Sequence, residues 1–304
     1  MAAAFTFPAG LLAHHTPAPD ETNTLAARTA AYFNPKRPGE GIFVEVLPEG
    51  RAVLYMFSYG PKYFWGVDQS PLQAPTQTWM IAVGWVSENG IHAEGIQPLG
   101  GHFGGAFNPD EIEYRDFGPF FFTFPTCGTS EEPGQLDAWA VGPNTNDYQD
   151  LELDNYVQLT TVLDCQTGLG APNAYYSGSW FDPDRPGEGF IVQVLKDGRA
   201  LVQWMTFDEV GDQMWMQGIG EFDDTGTFLS VPLMEIYKGT YWGSDFLSSA
   251  LTSKRFGSLT IEFTSCDTAT VTYESGTYGS GTRELERLTT PIKVGDSVAE
   301  CSED

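Results

Sequence analysis

The chain has 304 residues and carries 41 acidic against 15 basic side chains, a formal net charge of -26 at pH 7. That charge repels nucleic-acid phosphates and anionic membrane surfaces, so neither is an expected partner, and it reads most simply as a solubility device. No apolar run is long enough for a spanning helix, while 34 Gly, 20 Pro and 14 % aromatic residues favour strands joined by tight turns.

Residues 1–28 form an arm rich in Ala, Pro and Thr, with His14 and His15 and no counterpart later in the chain. Its start, Met1-Ala2-Ala3-Ala4-Phe5, lacks the basic and apolar regions of an export signal, so the expectation is a mature chain whose signal has been removed or replaced. The alternation Phe5-Thr6-Phe7 suits a strand added to a sheet edge; the competing reading is a loosely docked arm.

The first unit, residues 29–165, opens on Tyr32-Phe33-Asn34-Pro35-Lys36-Arg37-Pro38-Gly39-Glu40-Gly41-Ile42. The same words return in Trp180-Phe181-Asp182-Pro183-Asp184-Arg185-Pro186-Gly187-Glu188-Gly189-Phe190. The echo continues, Val44 to Leu47 answering Val192 to Leu195 and Gly50-Arg51-Ala52 answering Gly198-Arg199-Ala200, so the chain is two copies of one unit. After the motif a strand is predicted over Ile42 to Leu47, a turn at Pro48-Glu49-Gly50, and a return through Ala52 to Tyr59. The first unit then carries an insertion within Pro61 to Thr76, rich in Pro, Gln and aromatics, which belongs on a loop. Beyond it, Trp79 to Gly84 and Phe120 to Phe124 are further strands.

Residues 166–177, with Gly168, Gly170 and Pro172, read as a linker, and the second unit fills 178–304. Its first hairpin runs from Phe190 to Leu195, turns at Lys196-Asp197-Gly198 and returns to Phe207; Met214 to Glu221 and Leu259 to Phe263 follow as strands. About seven or eight short strands per unit, joined by sequential hairpins, predict an all-β chain of two tandem antiparallel meander domains, each a closed barrel or a sandwich.

Two cysteines fall at matching places in each copy: Cys127 and Cys165, Cys266 and Cys301. Four cysteines allow three pairings, and the repeat favours Cys127–Cys165 with Cys266–Cys301, each unit closing its own loop. A loop of roughly 35 residues so closed gains about 3–4 kcal/mol in the chain-entropy model. Such bonds point to an oxidising compartment, hence a secreted, periplasmic or cell-surface location. No Cys-x-x-Cys spacing is present, so zinc and thioredoxin-like chemistry are not expected.

The second unit, from Gly178-Ser179-Trp180-Phe181-Asp182-Pro183 through Trp204 to Asp208 and Gly257-Ser258-Leu259-Thr260 to Leu285-Glu286-Arg287-Leu288-Thr289, resembles a repeat unit common in secreted proteins of Gram-negative bacteria. That unit joins a GxWYDPxRxGxGF opening to WFTYD, WGSLTLTFxDC and a closing LxRLT. The first unit follows it more loosely, with Met56 where Trp204 stands and Gln158 where Arg287 stands. The resemblance implies export and repeated β domains and assigns no catalytic residue.

Glu40 and Glu188 lie beside Arg37 and Arg185 in identical Arg-Pro-Gly-Glu-Gly settings. One reading makes each pair a polar site for a sugar hydroxyl or cation; the other makes it a surface ion pair beside a tight turn. Asp182, Asp184, Asp208 and Asp212 offer oxygen ligands for calcium, but Asn34, Lys36 and Gly60 stand at the first unit's matching places, against a shared metal site. His92 and His102 have no recognised metal spacing, and neither a Gly-x-Ser-x-Gly elbow nor a phosphate loop occurs, Gly276 to Gly281 sitting in a turn. No cofactor or metal is expected.

The aromatic residues carry more. Tyr59, Tyr63, Phe64, Trp65 and Trp79 surround the insertion, and Tyr237, Tyr241 and Trp242 stand on an apparent loop, where rings stack on sugars or form interfaces. Trp204, Trp215 and Phe120 to Phe124 fit a β core instead. The expected ligand-binding residues are therefore Arg37, Glu40, Tyr63, Trp65, Arg185, Glu188, Tyr241 and Trp242. The expected function is non-catalytic binding of carbohydrate or another extracellular polymer. The alternatives are a structural subunit of a surface layer or fibre, self-assembling through the N-terminal arm, and a hydrolase using carboxylates of the Tyr63 to Trp79 loop.

Overall fold

The computed structural model describes residues 26–60, 76–87, 90–126, 134–140, 151–159, 162–163, 170–240 and 246–290. The chain is all-β. The first eight strands are β1 (Ala30–Phe33), β2 (Gly41–Leu47), β3 (Arg51–Gly60), β4 (Thr76–Ser87), β5 (Gly90–Leu99), β6 (Glu113–Thr126), β7 (Gln135–Ala140) and β8 (Leu151–Gln158). The second eight are β9 (Gly178–Phe181), β10 (Gly189–Val194), β11 (Arg199–Phe207), β12 (Gln213–Phe222), β13 (Phe228–Lys238), β14 (Thr252–Phe263), β15 (Thr268–Ser275) and β16 (Gly279–Arg287). Each set pairs antiparallel in chain order and closes on itself, β8 onto β1 and β16 onto β9, so the architecture is the barrel and not the sandwich. Closure is short: Tyr32↔Gln158 and Phe33↔Val157 in the first barrel, Trp180↔Arg287 and Phe181↔Glu286 in the second. Among the described residues no helix is long and apolar enough to cross a membrane.

Period-two alternation explains which side chains fill each barrel. Ile42, Val44 and Val46 of β2 and Ala52, Leu54 and Met56 of β3 point into the first barrel, with Phe117, Phe120 and Phe122. In the second, Phe190, Val192 and Val194 are joined by Trp204, Phe256 and Tyr273. Both interiors are packed cores.

The residues between them face outward, yet they are also buried. Phe43, Val53, Tyr55, Phe57, Tyr59 and Trp79 of the first barrel meet Ile191, Leu201, Met205, Phe207 and Trp215 of the second in one apolar cluster. β2–β4 and β10–β12 therefore lose both faces to packing, one to the lumen and one to the neighbouring barrel. Tyr59 and Trp79, read from the sequence as rings beside a binding loop, are each 1 % exposed in this seam. Tyr237 lies in β13, its ring stacked on Trp215 at 5.7 Å. Trp215 belongs to the seam rather than to a lumen.

Contacts across the seam are reciprocal at matching positions of the two units. Gln77 Nε2 donates to the Trp215 carbonyl at 2.7 Å and Gln213 Nε2 to the Trp79 carbonyl at 2.7 Å, while each glutamine Oε1 accepts the same tryptophan's backbone N–H. The indole of Trp79 donates to the Thr206 carbonyl and that of Trp215 to the Ser58 carbonyl. The barrels thus meet as two subunits do across an isologous interface.

One exchange is deeper. The connection between β5 and β6 crosses to the second barrel and inserts Phe103 into its core, with ring centroids 5.4 Å from Trp204, 5.8 Å from Tyr273 and 5.1 Å from Tyr278. Phe103→Ala, a change in the first unit, should therefore destabilise the second barrel by about 3–5 kcal/mol, the cost of emptying a buried phenyl site. Urea unfolding followed by near-ultraviolet circular dichroism checks this.

Of residues 166–177 those from 170 on are described, and within them Tyr176 is buried in the second barrel's core, its ring 3.8 Å from that of Phe263. Ala26 and Ala27, from the stretch read as arm, pack with Val162, Leu163 and Ala174. Residues 1–25 of the arm and residues 61–75 of the stretch from Pro61 to Thr76 lie outside the described residues.

Candidate functional site

The two Arg-Pro-Gly-Glu-Gly turns are built alike. Asn34 Oδ1 accepts the Lys36 N–H and Asp182 Oδ1 the Asp184 N–H, both at 2.9 Å, an Asx turn that needs an oxygen and not a charge. That explains why Asn and Asp interchange here, and it gives Asp182 a turn-forming role. Asp208 Oδ1 similarly accepts the Val210 and Asp212 N–H groups. Among the described residues no group of three or more His, Cys, Asp and Glu is placed to hold a metal ion.

Gly39 and Gly187 both adopt φ of 86°. A Cβ at Gly39 would come within 2.9 Å of Leu251 and one at Gly187 within 2.9 Å of Ile112, residues at matching places in the opposite barrels. Glycine is required here twice over, for conformation and for the neighbouring barrel's approach.

The glutamates that follow are internal braces, not the surface ion pairs that the turn reading predicts. Glu40 is 2 % exposed; it accepts from Arg37 Nε, from Ser58 Oγ at 2.8 Å and from Tyr156 OH at 3.1 Å. Glu188 is 6 % exposed and accepts from Arg185 Nε, Thr206 Oγ1 and Arg283 Nη1. Each ties its turn to the barrel wall through a matching hydroxyl on β3 or β11. Arg185 also donates to the Gly104 carbonyl at 3.0 Å and lies 4.0 Å from the Phe107 ring centroid, clamping the strap that carries Phe103. Arg37, Glu40, Arg185 and Glu188 are therefore brought to the contacts between barrel wall, turn and neighbouring barrel. Tyr63, Trp65, Tyr241 and Trp242 lie outside the described residues.

Arg287, the arginine of the closing motif, donates to the carbonyls of Thr289, Cys266, Tyr175 and Ser177 and packs on the Trp180 ring. It fastens the barrel's last strand to its first. Gln158, at the matching place, is a looser tie: its Oε1 accepts the Gly134 N–H at 3.1 Å while its Nε2 is buried without a hydrogen-bond partner among the described residues. Cys266 is disulfide-bonded; Cys127, Cys165 and Cys301 lie outside the described residues.

A concave feature opens to solvent on the second barrel. Across β14, β15 and β16 runs an open groove of about 650 Å³, lined by Arg255, Ser258, Glu274, Ser275, Thr277 and Ser280 among others. Register sets Ser258 opposite Glu274 and Glu274 opposite Ser280, while Gly257 and Gly279 flank Ser275. Glycines leave the backbone bare, and the hydroxyls, one guanidinium and one carboxylate border it. Ser275 Oγ folds the turn by accepting the Thr277 and Tyr278 N–H groups. At its edge Lys254 Nζ donates to the Tyr278 hydroxyl at 3.2 Å. Phe256 lines the groove and also packs on Phe103. Sequence reasoning missed this site; its signal is Gly276-Thr277-Tyr278-Gly279-Ser280-Gly281, a glycine and hydroxyl run that a simple turn explains equally well.

Fold and groove together define a pair of packed eight-stranded barrels with a shallow polar surface site. The chain matches no protein-family model, no curated protein and no solved structure.

Proposed function

We propose that this chain is an exported, non-catalytic binding protein that takes a carbohydrate or a comparable hydroxyl-rich extracellular polymer along the groove on β14–β16. The observation that carries the reading is the groove itself: open, bordered by serine and threonine hydroxyls with one Arg and one Glu, and floored in part by glycine backbone. Such a surface offers a polyol paired donors and acceptors at little desolvation cost, and its openness accommodates a chain rather than a small enclosed ligand. Hydrolysis of a glycoside calls for two carboxylates facing one bond. Of the groove's lining residues only Glu274 is a carboxylate, while Glu40 and Glu188 are engaged by guanidinium groups.

On this reading the two barrels descend from one duplicated, secreted unit, with disulfides Cys127–Cys165 and Cys266–Cys301 closing each. The test is a polysaccharide panel with Arg255→Ala and Glu274→Ala. Each exposed substitution should weaken binding of a retained glycan by about tenfold, or roughly 1.4 kcal/mol, and leave the unfolding curve unchanged. No retention of any glycan overturns the reading; retention unaffected in both variants but lost in Trp65→Ala or Trp242→Ala moves the site to the aromatic segments.

A further inference from the structure

A buried carboxylate joins the two barrels at the place where the second one closes. Glu45 of β2 is 0 % exposed, and its Oε1 accepts from Ser179 Oγ of β9 at 2.8 Å while its Oε2 accepts from Thr289 Oγ1, just past β16. The Thr289 hydroxyl in turn accepts the Ser179 N–H at 2.8 Å, and the Ser179 carbonyl accepts the Leu288 N–H at 2.8 Å. Glu45 thus clasps β9 and the end of β16 from outside, beside a closure that consists of only two register pairs.

The groups facing it are few. From β3 comes Tyr55, whose buried hydroxyl lies beside Glu45 and Ser179; from β9, Ser179; from the end of β16, Arg287 and Thr289. Arg287 acts on Glu45 through space only, its donors being spent on carbonyl oxygens. Both direct partners are hydroxyls, which can donate to a carboxylate or accept from a carboxylic acid, so the hydrogen-bond network survives either state. What differs is the burial of a charge without a contacting cation. At the matching place of the second unit stands Gln193, also buried, so the same architecture tolerates a permanently neutral side chain there.

We propose that Glu45 is a proton-operated latch: when it carries a proton it holds the second barrel's closing strands against the first barrel, and when it ionises the closure loosens. Burial is the first cause and raises its carboxyl to about 7, against the lowering effects of Thr289, Ser179 and Arg287. Because the folded chain holds this proton more tightly than an unfolded one, the added stability is complete below an ordinary glutamate value and is lost as pH rises through about 7. The latch therefore tightens in mildly acidic surroundings. His102 contacts the Glu209 carbonyl across the barrels at 3.2 Å and supplies a control outside the latch.

Amide hydrogen exchange on the whole protein between pH 5.5 and 8.5, corrected for intrinsic rates, provides the test. Protection of the Ser179, Leu288 and Thr289 amides should fall with rising pH, by as much as about thirtyfold, in the wild type and in His102→Asn, and should be flat in Glu45→Gln. A flat wild-type profile, or a Glu45→Gln slope equal to it, overturns the latch. Carbon-13 titration of the Glu45 carboxyl in the unmutated chain is an independent check: a midpoint near 7 is expected, and one at an ordinary glutamate value overturns the latch as well.

Discussion

Glu188→Ala should lower the stability of the protein by about 3–5 kcal/mol, the range for removing one partner of a buried ion pair. The side chain sits between two guanidinium groups, and that of Arg283 is only 6 % exposed. Once the carboxylate is gone Arg283 keeps the face of Trp204, 4.8 Å from the ring centroid, but has no second ion-pair partner among the described residues. The Thr206 hydroxyl loses its acceptor as well. Glu40→Ala should cost less, because Glu40 faces one guanidinium, with Ser58 and Tyr156 supplying neutral donors. Urea unfolding of both variants, with Arg283→Met added to Glu188→Ala to remove the stranded charge, measures this. The double variant should recover part of the loss; a Glu188→Ala effect below about 1 kcal/mol would show that the brace contributes little.

The contrast between those two glutamates marks what the sequence makes legible. The repeat places both in one motif, but their partners come from far along the chain: Tyr156 on β8 and Arg283 on β16 occupy positions that do not match, so no comparison of the units reveals them. Burial was equally hidden, since Arg and Glu three residues apart beside Pro-Gly describe a surface turn as well as an internal brace. The hairpins were readable because their turn chemistry is local, Gly198 taking φ of 84° after Asp197. β5 and β13 were not. Each carries a proline, Pro98 and Pro232, and each breaks register with a neighbour, between Gly95 and Ile96 in β5 and between Val231 and Met234 in β13, so neither shows a clean alternation.

A signal for the seam did exist. Ile42 to Leu47 and Ala52 to Phe57 are near-continuous apolar runs, whereas Thr268–Ser275 alternates buried and exposed positions. An antiparallel strand with one wet face alternates; one that is apolar on both faces has something packed on each. The runs recur in β10 and β11, which is the sequence trace of a second barrel lying against the first. Barrel closure left no such trace, because two register pairs at each joint are too few to stamp a pattern on β1, β8, β9 or β16.

Matching positions need not carry matching loads, and Gln213→Ala against Gln77→Ala tests that directly. Gln213 is 5 % exposed and saturates its amide: Nε2 donates to the Trp79 and Pro98 carbonyls at 2.7 and 2.9 Å, and Oε1 accepts from the Trp79 N–H, Thr78 Oγ1 and Gln97 Nε2. Truncation strands polar groups on β4 and β5 where water is excluded, and with about 1–3 kcal/mol for each group that stays unpaired the net loss should reach about 4 kcal/mol after relaxation. Gln77 makes only the two bonds to Trp215 among the described residues and is half-buried, so water can replace its amide and Gln77→Ala should cost about 1 kcal/mol. Thermal and urea unfolding of the two variants checks the ratio. Equal losses would mean that the amide clamp acts as a symmetric pair; the expected inequality places the weight on Gln213, because the first barrel closes a polar network of Thr78 and Gln97 around it that the second barrel, with Met214 at the position matching Thr78, does not build around Gln77.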